Sequence, residues 1–158
     1  MPLTIVSGGQ TGVDRAALDA ALAHGLAVRG WCPKARWAED GPIPDRYPFR
    51  ETPSADPAQR TRWNVRDSDA TLILSPVPLT GGTALTVDVA RALGRPHRVA
   101  DPSTDPVGPV AEWVRRQAEG GRLNVAGPRE SEAPGVYAAS RAWLAALFSA
   151  LDAIDTRT

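Results

Sequence analysis

The chain is poor in several residue types that would narrow its function at once. Its 158 residues hold one cysteine, Cys32, so no internal disulfide can form, and a lone thiol suits a reducing cytoplasm. Histidine occurs only as His24 and His97, outside any cluster with ligand spacing, which argues against a zinc site held by the protein. No apolar run approaches the ~18 residues of a membrane span. The opening stretch MPLTIVSGG is too short, and meets glycine too early, for a secretory leader. Net charge is also missing. Eighteen basic residues balance 18 acidic ones, so the basic surplus of a nucleic-acid binder is absent. A small anionic ligand, which needs only a local positive pocket, remains compatible.

The length fits one domain, expected over residues 1–154 with 155–158 frayed, and a core able to bury roughly 70% of the unfolded-chain surface. Apolar runs and helix signals alternate along it. Strands are expected at 3–7, 26–32, 70–75, 97–100 and 123–126. Helices are expected at 13–24, closed by Gly25, at 57–66 behind the Asp56-Pro57 start, at 83–93, at about 106–119 and at about 134–152. This alternation predicts an α/β domain: a mainly parallel five-stranded sheet with helices on both faces, in three layers. Counting strands along the chain, the favoured order is 2-1-3-4-5, which would set the first and third strands side by side.

Three loops that leave strand carboxyl ends then share one rim, where open α/β sheets bind ligands. They are GGQTG (8–12), PVPLTGGT (76–83) and GPRESE (127–132). Thr11 and Asp14 have capping-box spacing. Gly8, Gly9 and Gly12 would let a phosphate reach the amides of the following helix, and the Gln10 amide could read a polar group. The second turn repeats the arrangement, with Thr80, Gly81, Gly82 and then Thr83 at a helix start. A phosphate held between two helix N-termini is the reading these turns favour. Neither turn is a GxGxxG fingerprint or a Walker A motif.

Five stretches in order, GGQTGVDRAALDAA (8–21), WCPKARWAEDGPIPDRYPFRE (31–51), NVRDSDATLIL (64–74), TGGTALT (80–86) and LNVAGPRESEAPGVY (123–137), resemble the molybdenum carrier family. That family is a branch of the Rossmann-like superfamily that also holds the "lonely guy" phosphoribohydrolases. The resemblance covers about residues 3–150. It implies a Rossmann-like fold and a carrier that binds and protects molybdenum cofactor (molybdopterin), a pyranopterin phosphate carrying molybdenum. The phosphoribohydrolases show PGGxGTxxE, whereas this chain reads TGGTALTVD. Thr86 stands where the acid is expected, and Asp88 comes two positions late.

The remaining candidates attach to the same rim. Lys34, Arg36 and Arg46 lie on the long proline-rich loop 33–54, which would cover the site, and could clamp an oxyanion. Arg15 could point to ligand or solvent. Arg129 could hold an anion, while Ser131 reads as a cap for the last helix. Trp31 and Trp37 could stack on a pterin or purine, whereas Trp63, Trp113 and Trp143 read as core or interface. Cys32 could ligate molybdenum but more simply fills the core. If the chain were instead a nucleotide N-glycosidase, Asp88, Glu130 or Asp14 would supply the carboxylate. A nucleotide-sensing module is a third reading. The last helix is apolar nearly all round, which predicts a homo-oligomer that buries it.

Overall fold

A computed structural model describes residues 2–157, with side chains through Ile154; the fraying expected at 155–158 thus falls outside the side chains described. Strand β1 (Thr4–Val6) runs into helix α1 (Val13–Ala23), which buries Val13, Ala16, Ala17, Leu18, Ala20 and Ala21. The helix ends at His24, and Gly25 turns the chain with φ +78°. The strand expected at 26–32 is two strands. β2 (Ala27–Arg29) stays in the main sheet. At Gly30 a Cβ would lie 1.9 Å from the Ser7 carbonyl oxygen, and the chain leaves the sheet there. β3 (Trp31–Cys32) then pairs in parallel with β4 (Arg50–Glu51).

Helix α2 (Pro57–Arg66) starts as expected, with the Asp56 carboxylate accepting from the Ala58 amide at 3.0 Å. It carries almost no apolar face; its buried residues are Arg60, Asn64 and Val65. β5 (Ala70–Leu74) is buried at every position. Helix α3 (Gly81–Ala92) begins two residues before Thr83, so both glycines belong to its first turn. β6 (His97–Ala100), α4 (Val107–Ala118), β7 (Arg122–Ala126) and α5 (Val136–Arg157) complete the fold.

The sheet is parallel throughout, in the order β2-β1-β7-β5-β6. Counting its five strands along the chain, the order is 2-1-5-3-4, which corrects the expected 2-1-3-4-5. The last strand lies at the centre, between β1 (Thr4 beside Arg122) and β5 (Ala70 beside Leu123). Leu123, Asn124 and Val125 are all buried, as a central strand requires. The class is therefore the Rossmann-like α/β fold expected, with one strand inserted elsewhere. Helix α5 packs on α1 and α4 of its own chain, burying Val136, Trp143, Leu144, Leu147 and Phe148. These five side chains of α5 are thus covered within the chain. No helix among the described residues is long and apolar enough to cross a membrane.

Candidate functional site

The rim at the strand carboxyl ends encloses a cavity of about 190 Å³. Gly8, Gln10 and Asp14 border it from the β1–α1 turn, and Gly82, Thr83 and Thr86 from α3. Asn124, Ala126 and Gly127 come from β7, Arg129 and Glu132 from the loop after it. Helix α2 adds Pro57, Arg60, Thr61 and Asn64, and Trp37 stands at the mouth, 45% exposed. Because β7 is central, its loop divides the two glycine turns instead of flanking them.

The glycines of the first turn admit protein. A Cβ at Gly8 would lie 2.8 Å from Arg60 Nη1 and 3.0 Å from Asp14 Oδ2. At Gly9, where φ is +79°, it would meet Phe49 at 2.7 Å and Ile43 at 2.8 Å. At Gly12, with φ +77°, it would lie 2.4 Å from the Pro128 carbonyl oxygen. That carbonyl accepts from the Val13 amide at 3.2 Å, so the loop after β7 caps α1. The expected capping box is absent: Gly12 is the cap residue, and no side chain caps the helix. The Thr11 hydroxyl donates to Glu39 and accepts from the Glu130 amide. The second turn differs. Thr80 precedes α3 without a side-chain cap bond. Nothing lies within 4 Å of a Cβ built at Gly82, and only Glu132 Oε2, at 3.9 Å, approaches one at Gly81. The α3 N-terminus is therefore open to the cavity; the Thr83 and Ala84 amides donate to the Thr80 carbonyl, which leaves the dipole and the Gly81 and Gly82 amides available to an anion.

Beneath it lies a charged pair that the sequence reading missed in part. Arg60 is 8% exposed and donates from Nη1 to the Gly8 carbonyl at 2.7 Å. Its Nε and Nη2 have no hydrogen-bond partner among the described residues. Burial pushes its pKa down, and the neighbouring Asp14 opposes this. Asp14 is also buried; its Oδ2 accepts from the Gln10 amide at 3.3 Å. Burial raises its pKa from 3.8 to about 6, against the pull of Arg60, the Gln10 amide and Arg15. Asn64 reaches the Trp31 backbone with both amide ends. Arg60 and Asn64 stand four apart, on one face of a helix with few apolar residues, and that face is the buried one.

Other expected ligand groups act on the protein itself. Arg15 donates to the Gly9 carbonyl and pairs with Asp40 at 3.0 Å. Arg36 donates to the carbonyls of Ile43, Pro44 and Tyr47, bracing its own loop. Lys34 is exposed and does not border the cavity. Glu39 ties the loop 33–54 to the rim by accepting from Thr11 and from the Ser131 amide and hydroxyl. Burial opposes its ionisation, but those hydrogen bonds outweigh burial and hold its pKa below the usual range. Arg129 borders the cavity while paired with Glu132 at 3.2 Å.

The alternative carboxylates separate clearly. Asp88 is exposed on α3 and does not border the cavity. Glu130 accepts from the Gly135 and Tyr137 amides, taking the helix-capping role expected of Ser131. Only Asp14 reaches the cavity. Cys32 is fully buried in the core, where burial raises its thiol pKa. Trp31 packs edge-on against Trp63, with centroids 4.7 Å apart, and donates to Asp67, which leaves Trp37 as the aromatic at the site.

A family model, "Circularly permutated YpsA SLOG family", matches residues 5–148. No curated protein matches the chain. A solved structure named "Putative molybdenum carrier protein", from Syntrophus aciditrophicus SB, is 40% identical over 91% of this chain and 93% of that one, with a TM-score of 0.83. On these matches, the chain belongs to the circularly permutated YpsA SLOG family, in the company of the molybdenum carriers that its five motifs resemble.

Proposed function

We propose that the chain binds and protects a phosphorylated heterocycle, with molybdenum cofactor as the cargo. The observation that carries this reading is the open α3 N-terminus at Gly82 and Thr83, sharing one cavity with the buried, partly unpartnered Arg60. A helix N-terminus and a desolvated guanidinium together favour a phosphate far more than either does alone. Trp37 at the mouth offers an apolar face on which a ring can stack. The relative named a molybdenum carrier supports the choice of cargo. In this reading molybdenum arrives held by its pterin, and the chain supplies the phosphate site, the stacking surface and burial. The single buried thiol fits residence in the cytoplasm. Native mass spectrometry of protein purified anaerobically from cells that make the cofactor, with metal analysis of the same sample, tests it. A pterin phosphate with molybdenum is expected, and is expected to be lost in Gly82→Val. A nucleotide without molybdenum would overturn the choice of cargo.

One observation favours a second reading, a nucleoside 5′-monophosphate N-glycosidase. Asp14 is a cavity carboxyl whose pKa, about 6, suits a group that works near neutrality. It could support an oxocarbenium-like transition state. Base release from AMP that vanishes in Asp14→Asn would establish this reading.

A further inference from the structure

We infer that the cavity selects its heterocycle by a 2-amino-4-oxopyrimidine edge, the edge shared by pterins and guanine, with Asp14 reading the two adjacent N–H donors. The inference rests on the reading of the site as one for a phosphorylated heterocycle.

Two polar groups carry it. Asp14 Oδ2 accepts one hydrogen bond, from the Gln10 amide, and Oδ1 has no partner among the described residues although the side chain borders the cavity. A carboxylate has lone pairs for about four hydrogen bonds and accepts two parallel N–H groups well. Gln10 stands beside it with its amide orientation fixed. Its Oε1 accepts from the Thr11 amide at 3.0 Å and the Glu39 amide at 2.9 Å, so Nε2 is the end left to donate. Arg60 borders the same cavity, its Nη1 and Asp14 Oδ2 lying 2.8 and 3.0 Å from the position of a Gly8 Cβ, and its unpartnered Nε and Nη2 serve the phosphate. The cavity therefore presents an acceptor pair beside one oriented donor, Gln10 Nε2.

A 2-amino-4-oxopyrimidine presents the complement: an exocyclic NH₂, a ring N–H and then a carbonyl oxygen. Adenine presents one amino donor next to a bare ring nitrogen, which would face a carboxylate oxygen lone pair to lone pair. Hypoxanthine keeps the ring N–H and the oxygen but lacks the amino group. A site built to hydrogen-bond a group rejects analogues without it, because its own buried polar atoms are then left unpaired. The phosphate end is common to all these ligands and does not discriminate. Asp14 is thus the specificity group, and the α3 N-terminus the affinity group.

The test is calorimetric titration of the wild-type chain with neopterin monophosphate, GMP, IMP and AMP, repeated with Asp14→Asn and Gly82→Val, each checked by circular dichroism. Neopterin monophosphate and GMP are expected to bind at least tenfold more tightly than IMP and AMP. Asp14→Asn should weaken the first two at least tenfold and close the gap, whereas Gly82→Val should weaken all four alike. The comparison of GMP with IMP needs no variant and stands even if Asp14→Asn fails to fold. IMP or AMP bound as well as GMP, with the Gly82 dependence intact, would overturn the edge assignment and leave the phosphate site standing. A preference that survives Asp14→Asn would overturn the role of Asp14. Binding of none of the four would overturn both readings.

Discussion

At Gly12 a methyl group would sit 2.4 Å from a backbone carbonyl at φ +77°, while at Gly82 nothing stands within 4 Å of it and the backbone is helical. Gly12→Ala should therefore cost more than about 2 kcal/mol, since neither the Pro128 backbone nor the left-handed dihedral can yield cheaply. Gly82→Ala should be neutral or gain up to about 1 kcal/mol from reduced unfolded-state freedom. Urea unfolding of the two variants checks the contrast. In the sequence the two glycines look alike, one in GGQTG and the other in TGGT. What separates them is the position of residues 128–130, which local sequence does not reveal. The Asp14 carboxyl permits a second test at this scale. Its folded pKa, about 6, lies above its ordinary 3.8, so its cost to stability is absent below 3.8, grows as pH rises, and is complete above about 6. Arg60→Met removes the cation that holds this value down, so the midpoint should move higher still. Carboxyl ¹³C NMR titration reads it directly, and an unchanged midpoint would mean that Arg60 does not act on Asp14. Arg60 itself escaped the sequence reading because a single arginine in PAQRTRWNVR resembles the solvated arginines around it.

The loop 33–54 is an element in its own right, anchored by side chains that no periodicity announces. Tyr47, buried completely, donates to one oxygen of Asp19 at 2.5 Å, and Tyr137 of α5 donates to the other at 2.5 Å. Arg46 and Arg141 each donate to one of the two hydroxyls. Burial, followed by Asp19, raises the pKa of both phenols. One carboxylate thus joins the loop, α1 and α5. Asp19→Ala should destabilise the fold by about 2–3 kcal/mol and speed amide hydrogen exchange in residues 37–49, where Trp37 is carried. Exchange unchanged there, with stability lost, would show that the loop is held by Ile43, Phe49 and Arg36 instead. Most element positions were legible, because buried strands and capped helices carry local signals. Two were not. The break at Gly30 depends on how closely Ser7 approaches, and the first turn of α3 depends on Thr80 in the extended conformation. Nor does local pattern say which loop glycines face a ligand and which face another loop.

At the scale of the molecule, the lateral order of strands was the part least written in any stretch of sequence. The run LNVA looks the same at an edge as at a centre, and only its distant partners decide, Thr4 of β1 beside Arg122 and Ala70 of β5 beside Leu123. Those pairings predict slow folding, because loop closure between β1 and β7 must precede the joining of the β2-β1 pair to the β5-β6 pair. They also predict that a chain ending at residue 118 shows no cooperative urea transition, by circular dichroism or tryptophan fluorescence. β1 and β5 would then lack the neighbour that joins them. A cooperative transition in that fragment would mean that β1 and β5 can pair directly.

The late centre has a further consequence during synthesis. A nascent chain leaves the ribosome with β1 and β5 already made and their inner edges unsatisfied, two parallel-strand templates open to other chains. Each polypeptide passes through an interval in which aggregation competes with completion, and that interval lasts until Arg122–Ala126 emerges. The position of one five-residue strand thus sets how long the two inner edges stay uncovered in the growing protein.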